Sequence, residues 1–265
     1  MTKRRWDDDL QLALNLADRV DALTTERFLA NDLQVYDKPD LTPVTDADQS
    51  AEKLIRNTLS HSRTRDAVLG EEEGPSGYAA RRWVIDPIDG TANFMRGVPV
   101  WATLIGLMED GEMVMGVVSA PALAGRWWAV KGGGAWTGRS RSNVKQLQVS
   151  KVSDLRQASF SYSDIEEWAA AKRLRGFMNL SQKVWRTRAY GDFWSYMLAA
   201  SGTVDIAAEP ELNLWDMGAL YPIVTEAGGK FTNLQGVEGV AGPAAVVTNG
   251  RLHSQVLELL GSPTD

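Results

Sequence analysis

Apolar positions near the start of the chain recur at helical spacing. Ala13, Leu16, Ala17, Val20 and Leu23 fall on one face, and Asp7-Asp8-Asp9 suit the positive end of a helix dipole. A second helix is predicted on Ala51, Leu54, Ile55 and Leu59. Between them, residues 38–48 carry turn chemistry, with Pro39, Asp40 and Pro43. Val68-Leu69-Gly70 and Trp83-Val84-Ile85 read as short strands. Residues 100–108 and 113–120 read as longer ones, joined by a hairpin turn at Asp110-Gly111. Residues 126–130 and 134–136 suggest another hairpin through Gly132-Gly133-Gly134, and Trp127-Trp128 reads as sheet or subunit packing. The first half thus combines two helices with a mostly antiparallel sheet.

The second half alternates. Strands are predicted at 157–162, 204–208 and 244–248, with 183–188 a strand or loop. Helices are predicted at 165–178, after Gly191, from near Trp215 to the Gly228-Gly229 stop, and at 252–260. That pattern argues for a mixed or parallel sheet. A boundary near 140–152 divides an N-terminal α+β half, 1–148, from a C-terminal α/β half, 149–265.

Composition narrows the chemistry. With 44% apolar and 23% charged residues the chain is that of a globular protein. No run approaches a membrane span, and Met-Thr-Lys-Arg-Arg-Trp lacks a signal peptide's apolar core, so a cytoplasmic location is expected. The absence of cysteine excludes disulfides and zinc–thiolate sites, and fits a reducing compartment. The only two histidines, His61 and His253, are expected at the surface. A metal here must be held by oxygens, which points to Mg²⁺, Mn²⁺ or Ca²⁺. The net charge of −6 argues against a nucleic-acid partner. It is equally unwelcoming to an anionic substrate unless cations supply positive charge locally.

The densest chemistry is Trp83-Val84-Ile85-Asp86-Pro87-Ile88-Asp89-Gly90-Thr91-Ala92-Asn93-Phe94. A strand runs into two acids three apart, Pro87 biases Asp86 toward extended backbone, and Gly90 permits a tight turn. A fixed Asp-Pro-x-Asp-Gly-Thr string, as at Asp86–Thr91, arises by chance in roughly one chain of this length in ten thousand, taking about 1/20 per residue, so an ordinary Asp-Gly turn is a poor account of it. Carboxylates at a strand mouth facing free loop amides suit a hard cation and an anion bridged to it. Glu71, at the end of its own strand, and Asp216, near a helix start, are candidate partners. By itself Glu71 reads as a surface charge and Asp216 as a first-turn helix acid. Together these acids suit metal-assisted phosphoryl transfer to water. The Gly90 and Thr91 amides would cradle phosphate oxygens, and the Thr91 hydroxyl backed by Asp48 would orient the attacking water.

These residues resemble the inositol monophosphatase superfamily of Mg²⁺-dependent phosphatases. The matching pieces are Leu69-Gly70-Glu71-Glu72, the 83–94 string, Trp215-Asp216-x-x-Ala219, Glu226-Ala227-Gly228-Gly229 and the upstream Pro43–Asp48 loop. The resemblance covers nearly the whole chain. It implies a layered αβαβα sandwich and a homodimer. It assigns one Mg²⁺ to Glu71, Asp86 and the Ile88 carbonyl, a second to Asp86, Asp89 and Asp216, and a weaker third to Glu71, with Mn²⁺ a possible substitute. Asp89, Gly90 and Thr91 would meet the phosphate, and Thr91 with Asp48 would help activate the water.

The downstream segment departs from the inositol-type pattern. Gly191-Asp192-Phe193 has an acid where a small hydroxyl residue is usual. With Asp205–Pro210 it resembles the actinobacterial histidinol-phosphate phosphatases of this superfamily. Asp192 and Glu209 could pair with the ammonium and imidazole of such a small phosphorylated metabolite. Asp192 as a helix N-cap, Glu209 as a surface acid and Arg188 as either a substrate contact or a structural ion-pair partner stay open. Inositol 1-phosphate or fructose 1,6-bisphosphate hydrolysis is the alternative, and a non-catalytic binding protein the more distant one.

Overall fold

The computed structural model describes residues 5–39, 42–140 and 143–261. Asp40 and Leu41 of the predicted turn, the first four residues, and Arg141 and Ser142 of the predicted boundary lie outside the described residues. In chain order the elements are α1 (Asp7–Arg27), β1 (Val35–Asp37), β2 (Pro43–Thr45), α2 (Asp46–Ser62), β3 (Ala67–Gly70), β4 (Gly74–Ser76), β5 (Arg81–Asp89), α3 (Thr91–Met95), β6 (Ala102–Glu109), β7 (Glu112–Ala120), β8 (Gly125–Val130), β9 (Ala135–Ser140) and β10 (Asn143–Gln146). There follow β11 (Ser159–Ser161), α4 (Ile165–Ala170), α5 (Leu174–Ser181), β12 (Arg186–Arg188), α6 (Asp192–Ala200), β13 (Ile206–Glu209), α7 (Leu214–Gly218), α8 (Leu220–Glu226), β14 (Lys230–Thr232), β15 (Ala245–Thr248) and α9 (His253–Leu260).

Two sheets carry the fold. The first has eight strands in the order β10-β9-β8-β7-β6-β5-β3-β4, antiparallel except for β3 against β5. The second has five, β12-β11-β13-β15-β14, parallel through β12-β11-β13 and antiparallel beyond, hence mixed. Alternation along the strands sorts side chains into layers. Trp83, Ile85, Ile105 and Val117 pack under α1 and α2, whereas Leu104, Val118 and Trp127 face α6, α7 and α8. Ala207 and Val247 of the second sheet join that middle layer, and Ile206 and Val246 turn outward to α4, α5 and α9. The result is the αβαβα sandwich. Trp127 and Trp128 bury on opposite faces of their sheet. No helix among the described residues is long and apolar enough to cross a membrane.

Two predicted helices are interrupted. The one at 165–178 breaks into α4 and α5 where Lys172 takes φ 56°, a left-handed value no helix continues through. The one from Trp215 splits at Ala219 because Pro222 has no N–H for the Gly218 carbonyl. Strands β1, β4, β10 and β14 were not predicted; at three or four residues they are too short for periodicity to register.

Candidate active site

The site grows from the end of β5, buried from Trp83 to Ile88. In a regular strand, residues three apart face opposite ways. Here the pairing to β6 slips between Asp86, opposite Leu104, and Asp89, opposite Ala102. That is one residue too many on β5, placed at Pro87, which cannot donate to the ladder. The Thr103 hydroxyl donates to the Pro87 carbonyl at 2.8 Å and fixes the bulge. The bulge brings Asp86 and Asp89 to one mouth. Gly90 then turns at φ 84°, where a Cβ would meet the Val100 carbonyl at 2.8 Å, and Thr91 opens α3. The first-turn amides of that helix have no intrahelical acceptor.

The partners arrive from separate elements. Glu71 follows β3, its amide donating to the Ile85 carbonyl at 3.2 Å. The next two amides donate to the wholly buried Glu52 carboxylate at 2.8 and 3.0 Å, which locks the turn. The Lys38 ammonium lies 2.7 Å from Glu71 Oε1 and 2.9 Å from Glu72 Oε1. Asp216 comes from α7, where it accepts from the Asn213 amide at 2.6 Å. The carboxylate that caps the helix start thus also stands in the acidic cluster. This helix rests on Gly106 and Gly116, directly paired on β6 and β7. A Cβ at Gly116 would stand 2.1 Å from the Ala219 carbonyl oxygen, so the close approach requires glycine.

One ligand oxygen from each of Asp86, Asp89 and Asp216 lies within 4.8 Å of the other two. Burial, then the Glu71 charge, pushes Asp86 well above the usual carboxylate range. Burial and then Asp192 do the same to Asp89. Burial raises Asp216 to about 7. Asp86 Oδ1 is buried without a hydrogen-bond partner among the described residues. An all-oxygen donor set with an orphaned buried oxygen and mutually repelling charges fits a hard divalent cation. Behind it the Thr91 hydroxyl lies 3.2 Å from Asp48 Oδ1 and 3.0 Å from the Ile88 carbonyl. Asp48 is wholly buried, held by the Thr45 amide at 2.8 Å, and raised to about 6 by burial.

A cavity of about 280 Å³ opens over these groups. Glu71, Asp86, Ile88, Asp89, Gly90, Thr91 and Asp216 line it. Asp192, Glu209, Glu167, Glu211, Ser163 and Tyr196 line it as well, with Asp192 Oδ2 close to Gly90. Among the described residues no Lys, Arg or His lines it. Asp192 is not the N-cap of α6. Gly191 occupies that place, and Asp89 Oδ2 satisfies the helix start by accepting from the Phe193 amide at 2.8 Å. Asp192 sits at φ 48°, a conformation costly for a non-glycine residue. Its amide donates to Ser163 Oγ at 2.9 Å and its carboxylate accepts from Asn93 Nδ2 at 2.8 Å. Burial lifts it to about 6. Glu209 is no surface acid: it ends β13, 3% exposed, and accepts from the Ser163 hydroxyl at 2.6 Å. Burial raises it too, and raises Glu167 to about 7.

Gly191 and Arg188 do not line the cavity. Arg188 is exposed on β12, where its guanidinium donates to the Thr187 carbonyl at 2.7 Å. His61 is exposed, but His253 is buried, contrary to expectation. The hydroxyls of Thr232 and Thr248 meet its two ring nitrogens at 2.9 and 3.0 Å, and burial pushes it down to about 4. Glu167, Glu211, Ser163 and Tyr196 carried no local sequence signal.

The inositol monophosphatase family model matches residues 6–262. A histidinol-phosphatase of Streptomyces coelicolor is 58% identical over 257 residues, covering 96% of this chain and 97% of that one. A histidinol-phosphatase of Mycobacterium tuberculosis is 54% identical over 256 residues, 96% and 98% of the two chains. Among solved structures, an inositol monophosphatase from Zymomonas mobilis superposes with a TM-score of 0.86 at 29% identity over 97% of this chain and 99% of that one. The extragenic suppressor protein suhB from Bartonella henselae gives 0.88 at 25% identity over 97% and 100%.

Proposed function

Because the chain belongs to the inositol monophosphatase family, we propose that it is a Mg²⁺-dependent phosphomonoesterase hydrolysing L-histidinol phosphate to L-histidinol and inorganic phosphate, a step of histidine biosynthesis. The observation that carries the substrate is the cavity's lining, rich in carboxylates and without a Lys, Arg or His among the described lining residues, the Lys38 ammonium standing behind Glu71. A phosphate dianion cannot enter such a cavity without cations, and the all-oxygen donor set suits Mg²⁺, with Mn²⁺ a substitute. Glu71, Asp86, the Ile88 carbonyl, Asp89 and Asp216 would hold two to three ions. Bound Mg²⁺ supplies charge neutralisation at the phosphate and at the leaving oxygen, and acidifies water.

The chain's own groups do the rest. The Gly90 and Thr91 amides hold phosphate oxygens, and the Thr91 hydroxyl, backed by Asp48, orients the water and relays its proton. On this reading Asp192 and Glu209, which also line the cavity, would face the leaving alcohol. An inositol offers neutral hydroxyls there, whereas histidinol offers an ammonium and an imidazole that carboxylates accept from. The proposal extends to a homodimer in the cytoplasm, with a small phosphorylated metabolite as its partner. It also extends to a division of labour between residues 1–148, which supply most metal ligands, and 149–265, which supply Asp216 and the specificity segment.

The test is phosphate release with Mg²⁺ from histidinol phosphate, inositol 1-phosphate and fructose 1,6-bisphosphate. A kcat/KM highest on histidinol phosphate is expected. Equal or higher values on inositol phosphate would reassign the substrate, and no release from any ester would end the enzymatic reading. Light scattering on the purified protein tests the dimer.

A further inference from the structure

The Tyr196 phenol lines the cavity, and neither the proposed metal ligands nor the proposed charge pairs use it. Tyr196 is 1% exposed, and its hydroxyl has no hydrogen-bond partner among the described residues. A buried hydroxyl left unpaired costs stability. Phenylalanine would pack as well without that cost, so the oxygen calls for a ligand. The ring is not free to search for a partner. It stacks on Phe231 at 6.0 Å and 23°, and Phe231 is braced edge-on by Tyr221 at 5.6 Å. Its helix is anchored at the start by Asp89. The hydroxyl is therefore presented from a rigid mount.

Its surroundings define what it would meet. The carboxylates around it, Glu209, Asp89, Asp216 and Glu167, are acceptor-only when ionised. The Ser163 hydroxyl is committed to Glu209 at 2.6 Å. A neutral imidazole needs one acceptor for its N–H and one donor for its bare nitrogen. Carboxylates meet the first need and the phenol O–H the second.

Building on the histidinol phosphate reading, we propose that Tyr196 is a specificity-determining residue that donates a hydrogen bond to the unprotonated ring nitrogen of the leaving alcohol, while a wall carboxylate accepts from the ring N–H. It recognises an aromatic nitrogen heterocycle, not the ammonium.

The test is Tyr196→Phe at pH 8, where the imidazole is neutral, on histidinol phosphate, on O-phosphoethanolamine (an ammonium without a ring) and on inositol 1-phosphate. The expected result is a loss of about tenfold or more in kcat/KM on histidinol phosphate, mostly through KM, and less than about twofold on the other two. The melting temperature should hold or rise, because only an unpaired oxygen is removed. Equal losses on all three esters, or a clear fall in melting temperature, would overturn the proposal by showing a structural role. A wild type that does not prefer histidinol phosphate overturns the substrate reading, and this one with it. A wild type that prefers it while Tyr196→Phe leaves the ratio unchanged overturns this one alone.

Discussion

Two groups of cavity residues are built differently. The group proposed to hold metal draws Asp86, Ile88, Asp89, Gly90 and Thr91 from one strand end and its turn, with Glu71 and Asp216 added from neighbouring elements. The group proposed to face the alcohol draws Glu167 from α4, Asp192 and Tyr196 from α6, Glu209 from β13 and Glu211 from the loop beyond. The first is a contiguous string on buried backbone, and the second is spread over elements that meet only in the folded chain. On the proposed reading the first sets the reaction and the second its substrate.

The largest break in that contrast should come from Asp86→Asn. It removes a charge from the centre of the acidic cluster and should cut kcat on every ester by at least about a thousandfold, roughly 4 kcal/mol of transition-state stabilisation. Steady-state assays over a Mg²⁺ titration check this, and an active variant would refute a bridging role. Thr91→Ala should cost about a hundredfold in kcat, alike on histidinol and inositol phosphates, since the water it orients is common to both. Asp192→Asn keeps tolerance of the φ 48° backbone and removes the charge. It should cost about tenfold on histidinol phosphate and little on an uncharged-alcohol ester, and equal losses would make Asp192 structural.

Gly116→Ala acts on neither group directly. The added Cβ presses on Ala219 and should destabilise by about 1–3 kcal/mol, seen in denaturant unfolding, while weakening Mg²⁺ affinity through Asp216.

The smallest effect is a pH trend. Asp216 and Glu167 are raised to about 7 in the fold, above their unfolded values. The native state then holds the extra protons, so this contribution is full at low pH and lost as pH rises through about 7. Chelator-treated protein should lose a few degrees of melting temperature between about pH 6 and 8. Added Mg²⁺ should raise it more at the upper end, where the carboxylates are ionised.

Legibility in the sequence followed the same division. Asp86 to Thr91 could be read because strand, bulge and turn are adjacent in the chain. Long strands such as β6 and β7 could be read from apolar runs, and the Asp110-Gly111 turn sits where expected, at φ 52° and 84°. The break at Lys172 could not, because the apolar pattern runs through a residue that takes φ 56°, whereas the one at Ala219 carried a local signal in Pro222 that a continuous helical pattern masked. Glu167 and Tyr196 look like any helix acid and any core aromatic until α4 and α6 face the same cavity. His253 looks like a surface residue until two threonines from different strands close on its ring.

The hydrogen bond from the Phe193 amide to Asp89 ties the halves together. One oxygen of Asp89 holds the start of the helix that carries Asp192 and Tyr196, and the same carboxylate stands in the acidic cluster proposed to hold metal. An exchange of α6 with that of a relative, intended to change the preferred alcohol, would therefore also disturb the metal pocket. Conversely, selectivity measured on metal-starved enzyme would describe a differently tensioned helix. Evolution of a new substrate on this scaffold must pass through residues that keep Asp89 seated, which makes the segment after Gly191 a narrow corridor rather than an open field for change.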